Sequence, residues 1–96
     1  MITRLVKMTF LEESVSEFIA FFETRKQTIR NFPGCESLQL WQDTTHKNIC
    51  FTHSVWRSPA DLDHYRFSEF FKDTWRQAKL LFADKAEAWS LDVIVQ

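Results

Sequence analysis

From Ile2 to Phe10, Ile2, Val6, Met8 and Phe10 fall toward one side, while Thr3, Lys7 and Thr9 fall toward the other. That period of two predicts a half-buried strand. Two positions break it: Arg4 lies on the apolar side and Leu5 on the polar one. The period then lengthens. Val15, Phe18, Ile19, Phe22 and Ile29 recur at helical spacing, and Ser14 to Glu17 reads as a capping box at the helix start. The helix is expected to stop near Asn31, because Pro33 holds Phe32 extended and Gly34 marks a turn.

Glu36 to Asp43 and Ile49 to Trp56 read as two further strands, joined by the polar connector Thr44 to Asn48. A connector that short makes them antiparallel neighbours. Ser58 and Pro59 are a cap and first-turn pair for a short helix carrying Leu62 and Tyr65. Ser68 caps another helix, with Phe71, Trp75, Ala78 and Phe82 along one side. A last strand is predicted over Glu87 to Val95, with Trp89, Leu91, Val93 and Val95 on one face and Ala88, Ser90 and Ile94 on the other.

The resulting order, β-α-β-β-α-α-β, predicts an α+β fold of the ferredoxin-like kind, a four-stranded antiparallel sheet with its helices on one face. The third and fourth strands offer apolar residues to both sides: Ile49, Phe51 and Val55 lie opposite Trp56, and Trp89, Leu91 and Val93 lie opposite Ile94. Helices cover only one side. An uncovered apolar face of several hundred Å² is a liability for a monomer, so a homodimer packed sheet on sheet is expected.

A chain of 96 residues is expected to form a single domain spanning residues 1–96. Its formal net charge of −1 gives no electrostatic reason for nucleic acid or an anionic membrane as partner. The basic residues are scattered, and Trp41, Trp56, Trp75 and Trp89 lie in apolar patterns, unlike a stacking platform for single strands. One glycine, Gly34, cannot build a phosphate-cradling loop, which excludes the standard nucleotide fingerprints. Cys35 and Cys50 lack the paired spacing of a zinc or dithiol site, and His46, His53 and His64 lack ligand spacing, so no metal is expected. The first ten residues hold no continuous apolar run of a signal peptide, and no stretch is long enough for a membrane helix. A cytoplasmic location follows as an expectation.

Several segments carry a resemblance. Val55-Trp56-Arg57-Ser58-Pro59-Ala60-Asp61-Leu62 is similar to a strand-end segment of the antibiotic biosynthesis monooxygenase family, and Tyr65 to Lys72 continues it. The turn Phe32-Pro33-Gly34-Cys35 and the segment Phe82 to Trp89 also resemble that family. The resemblance implies a dimeric α+β barrel and, in some members, oxygenation of phenols and quinols without a cofactor. Its heme-degrading branch uses an asparagine, a tryptophan and a histidine. Here the tryptophan position is Trp56, but the others are Val6 and Trp75, so the axial ligand is missing and heme degradation is not implied.

Oxygenation without metal or flavin requires a site that excludes water, orients an electron-rich substrate and stabilises its anion. Cys50, Thr52 and Ser54 share the Trp56 side of the third strand, where small residues leave room beneath bulky helical side chains. Phe18, Phe22, Phe71 and Trp75 would wall the substrate pocket, with Arg4 to stabilise the anion. Trp56, Tyr65 and His64 are the candidate catalytic groups, His64 as general base at the rim. A void of roughly 300 Å³ or more, with Trp56 and Tyr65 in its wall, would suit a small aromatic ligand. The competing reading is that the aromatics only fill the core and Arg4 pairs with a carboxylate at a sheet edge. A second functional reading on the same fold is a non-catalytic ligand-binding or stress-response dimer.

Overall fold

A computed structural model describes residues 1–96. The chain forms strand β1 (Ile2–Thr9), a 3-10 turn (Glu12–Ser14), helix α1 (Val15–Arg30), strands β2 (Cys35–Gln42) and β3 (Ile49–Trp56), helices α2 (Pro59–Arg66) and α3 (Glu69–Lys79), and strand β4 (Glu87–Leu91). The strands make one sheet in the order β2-β3-β1-β4, with every neighbouring pair antiparallel. This is the ferredoxin-like α+β arrangement that the element order implies.

Local chemistry explains most of the boundaries. The Ser58 hydroxyl accepts from the Asp61 amide at 3.2 Å at the start of α2, and Pro59 occupies the first helical position. The Ser68 hydroxyl does the same for the Phe71 amide at 3.1 Å, opening α3. Gly34 turns the chain into β2 with φ +84°, a conformation that a side chain disfavours. Its carbonyl accepts from the Arg57 amide at 2.8 Å, tying this turn to the end of β3. In the β2–β3 connector the Asp43 carboxylate accepts from the amides of Thr45 and His46, both at 2.8 Å.

Three expectations are corrected. Ser14 makes no side-chain cap, because its backbone is already helical (φ −101°, ψ −5°) and the chain enters α1 through the 3-10 turn. An N-cap needs extended backbone to aim its oxygen at the next turn. Ile19 falls beside the buried stripe of Phe18, Phe22 and Ile29 and is exposed. Finally, β4 ends at Leu91 rather than Val95. Its partner runs out first: Leu91 pairs with Thr3, and β1 begins one residue earlier. Val93, Ile94 and Val95 are left exposed, Ile94 at 91%.

The register fixes which side chains share a face. Leu38, Ser54, Arg4 and Ser90 form one row across the four strands, and Leu40, Thr52, Val6 and Ala88 form the next. Both rows face the helices. There the core gathers Met8, Phe10, Phe18, Phe22, Ile29, Leu38, Cys50, Trp56, Leu62 and Ala78. The opposite face carries Gln39, His53, Leu5 and Trp89 in one row and Trp41, Phe51, Lys7 and Glu87 in another. No helix covers it, and Trp41 and Trp89 remain 44% and 39% exposed. His53 stacks on Trp41 with ring centroids 4.3 Å apart, and its Nδ1 is buried without a hydrogen-bond partner. No helix is long and apolar enough to cross a membrane.

Candidate functional site

Between the sheet and the helices lies a cavity of about 230 Å³. It exists because the sheet beneath it presents short side chains. Thr52 and Ser54 from β3 and Ala88 from β4 surround Val6 and Arg4 of β1, while the helices above contribute large rings. Phe18 and Phe22 descend from α1, and Phe71 and Trp75 from α3. The rings of Phe71 and Trp75 stack 6.0 Å apart, and Tyr65 meets Phe71 edge-on at 5.0 Å. The aromatics wall a space instead of filling it.

Of the residues singled out in the sequence, Arg4, Phe18, Phe22, Thr52 and Ser54 line the cavity, with Tyr65, Phe71 and Trp75. Three do not. Cys50 is two residues before Thr52 and is packed into the core at the Phe10 end. His64 is exposed, and its nearest ring is Phe32 at 6.1 Å. The cause is helical geometry: α2 turns Leu62, Tyr65 and Arg66 inward, which carries His64 to the other side. Trp56 is fully buried behind Tyr65, stacked on it at 5.0 Å, so it touches the cavity only through its neighbours. At about 230 Å³, with Tyr65 but not Trp56 in its wall, the cavity falls short of the roughly 300 Å³ set as the mark for a small aromatic ligand.

Trp56 nevertheless acts on the lining. Its Nε1 donates to the Ser54 Oγ at 2.9 Å. With that oxygen already accepting, the Ser54 hydroxyl proton is left to donate elsewhere. Burial pushes the Tyr65 phenol well above its ordinary pKa, with the Cys35 thiol adding a smaller push the same way. Tyr65 is therefore a neutral hydrogen-bond donor at physiological pH and not a base. Arg4 donates to the Ser90 Oγ at 3.0 Å.

Two lining groups escape notice in the sequence. Arg25 stands within the stripe of Phe18, Phe22 and Ile29, at the spacing that faces the sheet. A charge inside an apolar stripe was the available signal. Arg66 follows Leu62 at i+4, which was also a legible cue. No group of three His, Cys, Asp or Glu side chains comes together to hold a metal ion.

Comparison with known proteins agrees with the fold. The family model for antibiotic biosynthesis monooxygenases matches residues 1–77. No curated protein matches. Among solved structures, one described as an antibiotic biosynthesis monooxygenase superposes with a TM-score of 0.90 at 15% identity, covering 99% of this chain and 100% of that one. A conserved protein of Methanosarcina mazei gives 0.89 at 19% identity, covering 94% and 89%. A protein of Mycobacterium tuberculosis gives 0.88 at 17%, covering 99% and 96%. At such identities the likeness shows the fold.

Proposed function

Because the chain belongs to the antibiotic biosynthesis monooxygenase family, we propose that it oxygenates a small aromatic or quinol-type substrate, without a cofactor, in the cavity between sheet and helices. The observation that carries this reading is the make-up of that cavity. It is an apolar, aromatic-walled space of about 230 Å³ into which a few neutral donors and three arginines converge.

The overall reaction balances with molecular oxygen alone: an activated CH₂ flanked by aromatic rings plus O₂ gives the ketone plus water. The substrate must first lose a proton. No histidine or carboxylate lines the cavity, so the proton passes to solvent and the chain's part is to favour the anion. The positive field of Arg4 lowers the substrate's pKa, and hydroxyls of Tyr65, Ser54 and Thr52 donate to its oxygen. The anion then gives up electrons to O₂ among the aromatic walls of the cavity. Trp56 is a positioning residue, holding Ser54 by its indole N–H and Tyr65 by its ring face.

The same reading takes the protein to be a homodimer through the uncovered sheet face. Supporting it are Leu5, Phe51 and Val55, flanked by the exposed Trp41, Trp89 and Leu91.

Aerobic oxygen uptake over a panel of anthrones and hydroquinones tests the activity. Saturable uptake with one class, needing no added flavin or metal, is the expected result. The absence of a base among the lining residues favours a second reading, a dimer that binds such molecules without transforming them. Tight binding with no uptake across the panel would select it.

A further inference from the structure

The charge around the cavity is all of one sign. Arg4, Arg25 and Arg66 reach its lining, and no aspartate or glutamate does. Arg25 is accounted for. Its Nη1 donates to Asp73 and to the Thr74 hydroxyl, each at 3.2 Å, and its guanidinium lies over the rings of Phe21 and Phe70. Arg4 is not. Its hydrogen bond goes to a neutral hydroxyl, Ser90, and no carboxylate pairs with it. Arg66 has one ion pair, a 3.8 Å contact with Asp63, whose side chain is mostly in water. Partial burial pushes the Arg4 guanidinium below its ordinary pKa, and the charge of Arg66 pushes the same way, with Asp63 opposing weakly. Two guanidiniums therefore line the same apolar cavity close enough to feel one another, and the one carboxylate near them, Asp63, is loosely paired with Arg66 alone. A like-charge pair beside apolar walls is unfavourable unless something negative meets it.

We infer that the ligand is an aromatic acid, whose ring system lies among Phe18, Phe22, Phe71 and Trp75 and whose permanent carboxylate is held by Arg4 and Arg66. This rests on the reading of the cavity as the substrate site and deepens it. An oxyanion formed only during reaction would leave the resting site uncompensated, whereas a carboxylate is charged throughout. The two arginines also approach from different layers. Arg4 rises from the inner strand β1, and Arg66 comes from the last turn of α2. A carboxylate has two oxygens, one for each guanidinium. Arg66 is 37% exposed, so this end of the cavity opens to water, where a charged group is least costly to place.

Isothermal calorimetry with 2-naphthoate and 2-naphthamide separates the charge from the ring system, since the two differ only in the carboxylate. The expected result at low salt is naphthoate binding about tenfold tighter or more. Arg4→Gln and Arg66→Gln should each cut naphthoate affinity by about tenfold while leaving naphthamide within about twofold. The wild-type comparison stands even if a variant folds poorly. Equal affinity for the two probes overturns the carboxylate and leaves a neutral aromatic site. A preference that survives both glutamine variants overturns the assignment to Arg4 and Arg66. Binding of neither probe overturns this inference together with the substrate-site reading beneath it.

Discussion

The indole N–H of Trp56 donates to the Ser54 Oγ at 2.9 Å, joining the most buried tryptophan to a hydroxyl at the cavity floor. Trp56→Phe keeps an aromatic ring and loses the donor. It should cost about 1–3 kcal/mol of stability, read by urea denaturation. Adding Ser54→Ala should cost less than the sum of the two single changes, because each single change leaves one partner of a buried bond unsatisfied. Additive costs would mean that the bond is not made.

Tyr65 gives a pH dependence with a definite sign. Its folded pKa is raised, by burial first, above the unfolded value of about 10. The stabilising contribution is therefore complete below about pH 10 and falls as pH rises beyond it, by up to about 1.4 kcal/mol per unit. The thiols of Cys35 and Cys50 are raised by burial too, so their loss begins earlier, above about pH 8.5. Denaturation of the wild type and of Tyr65→Phe between pH 8 and 11 should give curves that separate only in the upper part of this range. Parallel curves throughout would show that the phenol is not perturbed.

Gly34 is held by both its φ of +84° and its proximity to Asp61, whose side chain occupies the space a Cβ would take. Gly34→Ala should destabilise by about 2 kcal/mol or more. In an Asp61→Gly background, which also removes the Asp61 Cβ from that space, the penalty should shrink to the conformational part alone, about 1–2 kcal/mol. An unchanged penalty in that background would remove the steric part of the explanation.

The uncovered sheet face gives a prediction on assembly. Leu5 sits in an inner strand between His53 and Trp89 on that face. Light scattering should give twice the chain mass for the wild type at low micromolar concentration, and Leu5→Glu should give the chain mass with the helical content retained. A monomeric wild type would leave Trp41 and Trp89 without a partner and end the dimer reading.

Strands and helices were legible in this sequence wherever one residue sets a boundary. Ser58 with Pro59, Ser68, and Gly34 after Pro33 each fix an end by backbone chemistry that acts within a few residues. Arg4 on the apolar side of β1 was also readable, and it lines the cavity. What the pattern could not give depends on residues far away. The length of β4 is set by where β1 begins, more than eighty positions earlier. Alternation put Trp56 on the same side as Thr52 and Ser54 but carried no depth, so its place behind Tyr65 was hidden. His64 beside Tyr65 in sequence is not beside it in space, because adjacent helical residues point about 100° apart.

The central claim is that the cavity between β1, β3 and the helices is where oxygen is consumed. Ala88 lines it from an exposed position on β4, so Ala88→Trp blocks it with little cost to the core. The decisive measurement is oxygen uptake with anthrone and with a carboxy-substituted anthrone by the wild type and by Ala88→Trp, their folds matched by circular dichroism. The account expects one O₂ consumed per ketone formed by the wild type, and a rate lower by about tenfold or more in the variant. Equal rates in the two proteins, or no uptake by the wild type above the spontaneous rate, would contradict it.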